Sequence, residues 1–492
     1  MKPIKKVLIA NRGEIVRRIA RTLDRMGIAS AGVYHAIDAG SPGVRSISEA
    51  VEIFGATPVA AYLDIDQMVS VCRQTGADAI HPGFGFLAEN PVFVRRLESE
   101  GICFIGPSAD NMELMGNKIR ARDFCVQHGF HPLPSVTGAD DTKHFAQQVR
   151  KMGAPLLIKA AAGGGGKGMQ IVRDMADLEQ SIKIARATAR RAFGDDTVYV
   201  ERYVEQPRHI EVQVVADAYG NVVHLGEREC SIQRRFQKVI EESPAPSLDT
   251  GLRTRICETA VEIVRRAKYV NAGTVEFLLT PDGNFFFLEM NTRIQVEHPV
   301  TEMVTGIDLI EMQIRIAREE PLPFHQQDIR TEGHAIELRL YAEDPENDFL
   351  PTTGQILAYH MPTGDHIRVD DGFAEGMNVT SAFDPMLAKL ITHGATREEA
   401  VERTRKAISD TLVLGVTTNA DFLERIVSHP AFAAGHVHTG FLSRHGQELN
   451  PPVLTDEQRG LLLSAAALNS REFINPYFEA MEPYTRIGNW RN

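Results

Sequence analysis

Cysteine is scarce in this chain, and its spacing does not fit a disulfide framework. The 492 residues include five cysteines, an odd number, and no pair has the CxxC spacing. Small secreted domains held by disulfides usually carry cysteines in even-numbered sets. We therefore expect small buried side chains in a reduced, cytoplasmic protein. The cysteines are Cys72, Cys103, Cys125, Cys230 and Cys257.

Long apolar runs are also absent from the sequence. The first residues, MKPIKKVLIANRGE, carry positive charge but only four consecutive apolar residues, Val7 to Ala10. A secretory signal needs an apolar core of about 7–15 residues. A membrane-spanning helix needs about 20, and no segment approaches that length. The sequence therefore predicts neither a signal peptide nor a membrane association.

An excess of positive charge is the third missing feature. The chain has 53 Lys and Arg against 65 Asp and Glu, a net charge of -12. This balance argues against a general nucleic-acid binder, and an anionic substrate would need a local basic pocket. With 43% hydrophobic residues and no internal repeat, the chain is long enough for two to four domains.

Strand and helix patterns alternate over roughly the first 115 residues. Val7 to Ala10 predicts a buried strand, and Gly13 to Met26 has apolar residues at helical spacing. Such alternation is typical of a doubly wound parallel sheet. The segment Gly83 to Ala88 matches GxGxxA and fits either a dinucleotide loop or a tight turn. Further predicted elements are strands at Ala31–Tyr34, Ala79–Ile80 and Cys103–Ile105 and helices near Ile65–Thr75 and Pro91–Glu100.

A second region, about 115–318, mixes helices with strands such as His209 to Val215, whose apolar residues alternate. Within it, Glu227 to Glu242 is dense in both signs of charge and fits either a solvated surface or a substrate-facing loop. A third region holds short strands and a helix around Arg397 to Ser409. Asn450 to Pro452 marks its end, and an amphipathic segment follows.

A glycine-rich loop lies between two predicted strands. Pro155 to Ala160 leads into Gly163 to Gly168, and strand character resumes at Met169 to Val172. Consecutive glycines let backbone N–H groups approach an anion, and Lys159 and Lys167 add charge. The loop predicts phosphate binding. It is not a Walker A loop, because Gly168 stands where Ser or Thr would bind Mg²⁺.

Two facing carboxylates supply the missing metal ligands. Thr274 to Leu279 and Phe285 to Met290 predict a hairpin around Asp282-Gly283. A two-residue loop places Glu276 opposite Glu289, with Asn291 on the same face. Facing like charges destabilise a sheet unless a cation lies between them, and Mg²⁺ prefers such oxygen ligands.

Taken together, the motifs resemble those of biotin carboxylase, a member of the ATP-grasp superfamily. The resemblance covers residues 1 to about 447. The matching motifs are ANRGEI, HPGFGFLAEN, FIGP, LMGNK, IKAAAGGGGKGM, PRHIEVQV, ERECSIQRRFQK, EFLL, FLEMNTRIQVEHPVTE, GHAIELRL and DPMLAKLI.

The resemblance implies a mixed α/β and α+β fold with four parts. Residues 1–114 would form a Rossmann-like parallel-sheet domain that precedes the ATP-grasp domain. Residues 115–318 would form the ATP-grasp domain, with a mobile lid at about 131–204. Residues 319–447 would form a mixed C-terminal domain, and residues 448–492 an extension.

Site residues follow from the same resemblance. ATP would be bound at Lys118, Lys159, Gly164, Gly165, Gly166, Glu201, Arg202, Tyr203, Val204, His209, Gln233, Glu276 and Glu289. Mg²⁺, with Mn²⁺ as an alternative, would be held by Glu276, Glu289 and Asn291. Bicarbonate and biotin would be handled by Lys238, Arg293, Gln295, Val296, Glu297 and Arg339.

The resemblance also implies the chemistry. ATP converts bicarbonate, a poor electrophile, into carboxyphosphate, and Glu297 acts as the base. Lys238 steadies the carboxyphosphate, Arg293 helps to bind bicarbonate, and Arg339 stabilises the deprotonated ureido group of biotin. Two positions depart from the family pattern: Phe236, where His is frequent, and the segment Ser46 to Ala50.

No Ala/Val-Met-Lys-Met biotinylation motif occurs in the chain. The resemblance therefore implies a separate biotin carboxyl carrier protein, carboxyltransferase subunits and a homodimer. Acetyl-CoA carboxylase, in fatty acid biosynthesis, is the expected parent complex; other acyl-CoA, pyruvate or 2-oxo acid carboxylases are alternatives. The extension, with Trp490, fits either a partner-docking segment or a surface helix with a frayed end.

Two rival interpretations are a different ATP-grasp ligase and an inactive structural paralogue. The first would not need Arg293, Gln295, Glu297 and Arg339 together, yet all four are present. The second would be expected to have lost Lys238, Glu289, Asn291 or Glu297. None of these is lost.

Overall fold

The computed structural model describes residues 3–138, 142–160, 169–452 and 454–469. The chain divides into one unit that ends at Gly446 and a second that begins at Gln447. The predicted phosphate loop, with Gly164, Gly165, Gly166 and Lys167, lies outside the described residues, as does Trp490.

A five-stranded parallel sheet forms the N-terminal part, with strand order β3-β2-β1-β4-β5. Its first helix buries Ile15, Ile19 and Leu23 against the sheet, as the helical spacing predicts. The strands are β1 (Lys6–Ile9), β2 (Ala29–Tyr34), β3 (Glu49–Glu52), β4 (Ala79–His81) and β5 (Cys103–Phe104). The helices are α1 (Glu14–Arg25), α2 (Pro42–Arg45), α3 (Pro58–Tyr62), α4 (Ile65–Thr75), α5 (Pro91–Ser99) and α6 (Ala109–Met115).

The GxGxxA segment forms a tight turn after β4. Gly83 and Gly85 have φ angles of 62° and 69°, in the left-handed region that glycine adopts without strain. The Asn11 side-chain amide donates to the carbonyls of Pro82 and Phe84 at 2.6 and 2.8 Å. The turn is thereby tied to the end of β1, which favours the tight-turn interpretation.

A four-stranded antiparallel sheet follows, in the order β6-β9-β7-β8. Leu156, Ile158, Val198 and Val200 face a core that α8 and α9 cover. The alternate residues of these strands face the opposite side of the sheet. The elements are α7 (Lys118–Gln127), β6 (Ser135–Gly138), α8 (Thr142–Met152), β7 (Leu156–Ala160), β8 (Gln170–Val172), α9 (Leu178–Phe193) and β9 (Val198–Arg202).

The largest sheet has eight antiparallel strands in the order β14-β13-β10-β11-β12-β15-β22-β20. It runs without interruption from the second sequence region into the third. Its strands are β10 (Arg208–Ala216), β11 (Val222–Arg234), β12 (Gln237–Ser243), β13 (Asn271–Leu279), β14 (Phe285–Asn291), β15 (His334–Tyr341), β20 (Ile367–Asp371) and β22 (Met386–Gly394). Its helices are α10 (Thr250–Arg266), α11 (His298–Thr305), α12 (Leu309–Ala317) and α13 (Arg397–Ser409).

The charged segment Glu227 to Glu242 is not a solvated surface, and the predicted loop is wrong, although Gln233 and Lys238 of this segment do contact other predicted site residues. It forms most of β11 and β12, joined by a turn at Arg235-Phe236. Arg228 is fully buried. Charge density suggested exposure because the sequence did not reveal that these charges pair with distant residues, such as Arg228 with Glu211 and Glu241 with Arg339.

Short elements complete the C-terminal part. Three two-stranded sheets pair β16 with β17, β18 with β21 and β19 with β23. The strands are β16 (Glu343–Asp344), β17 (Leu350–Pro351), β18 (Gly354–Gln355), β19 (Ala358–His360), β21 (Asn378–Val379) and β23 (Leu412–Leu414). The helices are α14 (Ala420–Ser428), α15 (Pro430–Ala433), α16 (Phe441–Arg444) and, in the second unit, α17 (Asp456–Asn469).

Helix α17 carries exposed leucines at Leu461, Leu462 and Leu463. Within the part of the chain that the structure describes, no helix is both long and apolar enough to cross a membrane.

Candidate active site

The site forms on one face of the eight-stranded sheet because β10 alternates strictly. Ile210, Val212 and Val214 enter the core that α10 covers. His209, Glu211 and Gln213 therefore face the opposite side of the sheet, although all three are buried. The apolar half of this alternation is what predicted the strand, whereas Glu211 and Gln213 in the polar half were not predicted as site residues.

Glu276 pairs directly with Glu289 across β13 and β14, as predicted. The predicted two-residue loop is wrong, because Phe277 pairs with Phe287 and the loop is one residue longer. A β-bulge at Leu288 inserts one extra residue and returns Glu289 to the face of Glu276. Two departures from the predicted geometry thus cancel and leave the carboxylate pair in place.

Lys238 is the centre of a cluster of charged side chains, the charge cluster, which it forms with Glu211, Glu276 and Glu297. Its ammonium group donates to Glu211 at 2.5 Å, to Glu297 at 2.6 Å and to Glu276 at 2.9 Å. Its side chain is only 12% exposed. Although burial disfavours the charged form, the three carboxylates raise the pKa of Lys238 well above its usual range. Lys238 is therefore a permanent cation among three acids.

Glu297 is held as a carboxylate. Burial favours its protonated form, but Lys238, Arg339 and Arg228 outweigh that effect and lower the pKa of Glu297 well below its usual range. Arg339 donates to Glu297 at 2.9 Å and to Glu241 at 2.6 Å. Glu297 also stands immediately before the N-terminus of α11, where the helix dipole favours a negative charge.

The segment Asn291 to Glu297 connects β14 to α11 and carries most of the polar groups. Asn291 and Gln295 donate to the same Glu276 oxygen at 2.8 and 2.9 Å. Arg293 donates to Asn291 at 3.0 Å and to Glu89 of the N-terminal part at 2.9 Å. The Val296 carbonyl accepts from Lys389 at 2.9 Å. The predicted residues of this segment are therefore held by both neighbouring parts of the chain.

Arg228 supports the site from within the sheet. It donates to Glu211 at 2.5 Å, to Gln295 at 2.6 Å and to Gln213 and Thr301 at 2.9 Å each. It is among the largest fully buried side chains. No spacing rule in the sequence distinguishes it from its charged neighbours, so sequence reasoning missed it.

His209 and Gln233 lie at the edge of the cluster. The Gln233 amide nitrogen is 2.9 Å from His209 Nδ1, and His209 Nε2 is 2.9 Å from Glu276. Burial lowers the pKa of His209, but the Glu276 carboxylate outweighs it, so the net shift is upward. These contacts connect two predicted nucleotide residues to a predicted metal ligand.

The two lysines that were predicted to bind phosphate each pair with a predicted site acid. Lys118 lies 2.6 Å from Glu289, and Lys159 forms an ion pair with Glu201. Lys159 and Glu201 share the face of the four-stranded sheet that lies opposite its core.

The structure does not bring Arg202, Tyr203 and Val204 into the charge cluster through any polar contact of the described side chains. The backbone N–H groups of Arg202 and Tyr203 donate to the Pro134 and Pro155 carbonyls at 3.0 Å each. A cavity of about 400 Å³ is lined by Gln206, which follows Val204 by two residues, and by Arg208, Leu279, Val437 and His438 among others. The C-terminal residues of this lining were not predicted from the sequence.

The residues present fit a divalent cation. The predicted ligands, Glu276, Glu289 and Asn291, offer only oxygen donors from one sheet face, the set that Mg²⁺ prefers. Lysine ammonium groups now neutralise both carboxylates. The metal role of these residues stays a prediction.

Sequence families match nearly the whole of the first unit. Residues 3–112 match "Biotin carboxylase, N-terminal domain" and residues 337–444 match "Biotin carboxylase C-terminal domain". Residues 117–325 match "Carbamoyl-phosphate synthase L chain, ATP binding domain".

Related proteins of known name indicate the same family. The chain is 46% identical over 446 residues to the biotin carboxylase of Halalkalibacterium halodurans, covering 90% of this chain and 98% of that one. It is 43% identical over 495 residues to the mitochondrial methylcrotonoyl-CoA carboxylase subunit alpha of Dictyostelium discoideum, covering 100% of this chain and 71% of the relative. The chain spans 66% of the corresponding mouse subunit, so part of that protein has no counterpart here.

Solved structures share the fold. The biotin carboxylase domain of Hydrogenobacter thermophilus 2-oxoglutarate carboxylase, a dimer solved with MgADP, ADP and bicarbonate, is 41% identical with a TM-score of 0.90. The match covers 92% of this chain and 100% of that domain. The Campylobacter jejuni biotin carboxylase is 41% identical with a TM-score of 0.88, covering 90% and 99%. With its three matched domains and its mixed α/β fold, the chain belongs to the biotin carboxylase family, whose members are ATP-dependent ligases.

Proposed function

We propose that this protein carboxylates biotin carried on a separate protein, using ATP and bicarbonate through carboxyphosphate. The observation that carries the proposal is the chain of contacts from Lys238 through Glu297 to Arg339. It places one carboxylate between two fixed cations. A bicarbonate bound there would meet a base on one side and charge neutralisation on the other.

The nucleotide end of the site uses Lys118, Lys159 and the glycine-rich loop for the phosphates, with His209 and Gln233 near the nucleoside. These roles rest on family motifs. Glu276, Glu289 and Asn291 would hold Mg²⁺ or Mn²⁺, which when bound neutralises charge on the ATP phosphates. The chain's own contribution is to keep Glu276 ionised, since the adjacent Lys238 and His209 outweigh the effect of burial and lower the pKa of Glu276 well below its usual range.

In the first step, bicarbonate would be held by Arg293, Gln295 and Val296 beside Glu297. Glu297 takes the bicarbonate proton, and a bicarbonate oxygen attacks the γ-phosphorus of ATP. The bond from that phosphorus to the bridging oxygen breaks, ADP leaves, and carboxyphosphate forms. Lys238 neutralises the charge of this intermediate.

In the second step, carboxyphosphate releases phosphate and CO₂ within the site. The phosphate takes the proton of the biotin ureido nitrogen, negative charge develops on the ureido oxygen, and Arg339 is the fixed cation that stabilises it. The ureido nitrogen then attacks CO₂, and the negative charge passes to the carboxylate of carboxybiotin. Arg339 already donates to Glu297 and Glu241, so its guanidinium is held in place before biotin arrives.

The testing experiment measures ADP release by the purified chain with Mg-ATP, with and without bicarbonate and free biotin. We expect release that needs bicarbonate, rises with biotin and is lost in Arg339→Ala. As a control, Arg397→Ala removes another C-terminal arginine. It binds Glu242 and two carbonyls away from residues 293–297, the segment proposed to bind bicarbonate, which we call the bicarbonate segment. ATP cleavage indifferent to both bicarbonate and biotin would favour a different ATP-grasp substrate.

For the parent complex we propose a cytoplasmic assembly in which this chain, as a homodimer, serves a biotin carrier and carboxyltransferase subunits, with acetyl-CoA as the final acceptor. A second candidate is a methylcrotonoyl-CoA or pyruvate carboxylase. Relatives of those names align with 100% and 95% of this chain, whereas the H. halodurans biotin carboxylase aligns with 90%.

These candidates are separated by co-purification of the tagged chain from its native host. The recovered complex is then supplied with ATP, labelled bicarbonate and one acceptor at a time. Label fixed on acetyl-CoA supports the first candidate, and label fixed only on methylcrotonoyl-CoA or pyruvate supports the second. Sedimentation of the purified chain tests the homodimer.

A further inference from the structure

Lys389 on β22 is a fully buried lysine next to the bicarbonate segment. Its ammonium group donates to the Val296 carbonyl at 2.9 Å and lies 3.0 Å from Glu14 and 3.8 Å from Asp370. A buried ammonium is costly unless it is paired and hydrogen-bonded. An apolar residue at this position would avoid the desolvation cost of a buried charge, so packing alone does not explain the lysine.

The strand register places Lys389 directly opposite Arg339 on β15 and directly opposite Asp370 on β20. Two cations facing each other across neighbouring strands repel. Each of them, however, binds the same short segment: Arg339 donates to the Glu297 side chain and Lys389 to the preceding Val296 carbonyl. The neighbouring strands β15 and β22 thus each bind one of two consecutive residues, Glu297 and Val296.

Glu14 extends this arrangement into the N-terminal part. It is the first residue of α1, is buried and lies beside the Lys389 ammonium. Burial raises the pKa of Glu14, while Lys389 acts in the opposite direction. The Lys389 ammonium therefore joins α1, the C-terminal strands and the bicarbonate segment at one point.

We propose that Lys389 is a positioning residue that orients the Val296–Glu297 peptide for bicarbonate, an inference that rests on the proposed function of Gln295, Val296 and Glu297. A peptide group is planar, so a fixed Val296 carbonyl also fixes the direction of the Glu297 N–H. With the backbone held by Lys389 and the carboxylate held by Arg339, Glu297 keeps one position relative to bound bicarbonate.

The test compares Lys389→Met with Arg397→Met in the ADP-release assay. Lys389→Met keeps the unbranched side chain and removes its ammonium group. We expect kcat/KM for bicarbonate to fall about tenfold or more, as for the loss of a hydrogen bond from a charged group. The KM for ATP should stay within about twofold. Arg397 also binds a buried glutamate and backbone carbonyls but does not contact the segment. Its variant should lower Tm and leave both constants unchanged.

A double variant, Glu14→Gln with Lys389→Met, separates positioning from charge balance. It removes the acid whose ion pair Lys389→Met breaks, since Asp370 keeps its pair with Arg368, so we expect Tm to recover while kcat/KM for bicarbonate stays low. Recovery of both would overturn the proposal, as would an equal loss for ATP and bicarbonate. If Glu297→Gln also leaves the bicarbonate constants unchanged, the proposed function of the segment fails instead.

Discussion

At the scale of single residues, the site depends on carboxylates whose ionisation is set by their neighbours. Glu297 and Glu241 are both buried and both bind Arg339. Yet the pKa of Glu297 is lowered and that of Glu241 is raised to about 7. The difference arises because Glu297 accepts a hydrogen bond from Lys238 and is stabilised by the charge of Arg228, whereas the charge of Glu297 adds to the effect of burial on the pKa of Glu241. Two similar side chains a few ångströms from one guanidinium can therefore hold different charges.

Glu297→Gln is expected to reduce kcat for bicarbonate-dependent ADP release by about 100-fold or more, because the amide cannot accept the bicarbonate proton. Steady-state kinetics would measure this. Glu302→Gln is the matched control, since Glu302 is a buried acid that pairs with Arg18 and Arg368 instead of the site. A comparable loss of kcat in Glu302→Gln would mean that removing any buried negative charge has this effect.

Glu241→Gln is expected to change how stability depends on pH. Burial raises the pKa of Glu241 from 4.5 to about 7, so the folded state holds this proton more tightly than the unfolded state. The stability that this proton contributes is present below pH 4.5 and is lost as pH rises to about 7. The loss is at most roughly 3 kcal/mol.

The glutamine variant cannot titrate at this position. We therefore expect its Tm, relative to that of the original protein, to rise across the same pH window. Thermal unfolding in buffers between those pH values measures the difference. Parallel Tm curves for the two proteins would contradict the assignment.

At the scale of elements, hairpin geometry decides which residues reach the site. The β13–β14 hairpin has a longer loop than its Asp-Gly signal predicts, and the Leu288 bulge compensates. The β11–β12 hairpin turns at Arg235 and Phe236, whose φ angles of 49° and 68° are unusual for residues with side chains. Gln233 and Lys238 pair across this hairpin, so the turn lies close to two predicted site residues.

Phe236→Gly is expected to stabilise the protein by about 1 kcal/mol, because glycine adopts positive φ without the steric cost. Phe236 is 44% exposed, so the substitution also removes a partly buried ring whose contacts oppose this gain. Urea unfolding measures the change, and the KM for ATP measured in parallel tests whether the ring packs against the nucleotide. A lower free energy of unfolding would mean that ring contacts outweigh the backbone strain.

At the scale of the whole molecule, buried ion pairs join segments that are far apart in sequence. Arg18 of α1 donates to Glu302 of α11 at 2.6 Å and to Asp308 at 2.8 Å. Arg368 of β20 also donates to Glu302, at 2.8 Å. Together with Lys389, these contacts connect the N-terminal part, the helices that follow residues 293–297 and the C-terminal strands.

Arg18→Met is expected to lower the free energy of unfolding by about 3 kcal/mol, because it leaves two partly or fully buried carboxylates short of a counter-ion. Denaturant unfolding measures the loss, and kcat of the folded protein should stay within about threefold. Arg95→Met is the control, since its pairs with Asp110 and Glu113 are solvent-exposed. An equal loss in both variants would contradict a special role for burial.

Much of this could be predicted from the chain itself. Helices α4 and α13 have the predicted bounds, and strands β1, β2, β4 and β10 lie where the apolar patterns place them. The resemblance to biotin carboxylase is confirmed by the family matches and by the shared fold. The Glu276–Glu289 pair was predicted from a two-residue period and a turn signal, which are local properties, and it is present because the longer loop and the Leu288 bulge cancel.

Only the tertiary structure decided the partners of the charged residues. Arg228 contacts Glu211, Lys238 contacts three acids and Lys389 contacts Val296, and the partners in these contacts lie 17 to 93 positions apart in the sequence. Glu14 and Lys389 are more distant still. No local period reports such distances, because sheet order and domain packing set them. The sequence by itself determined the motifs and the strands that have a clear apolar pattern. The packing of all the strands determined which charges face one another, and with that the electrostatics of the site.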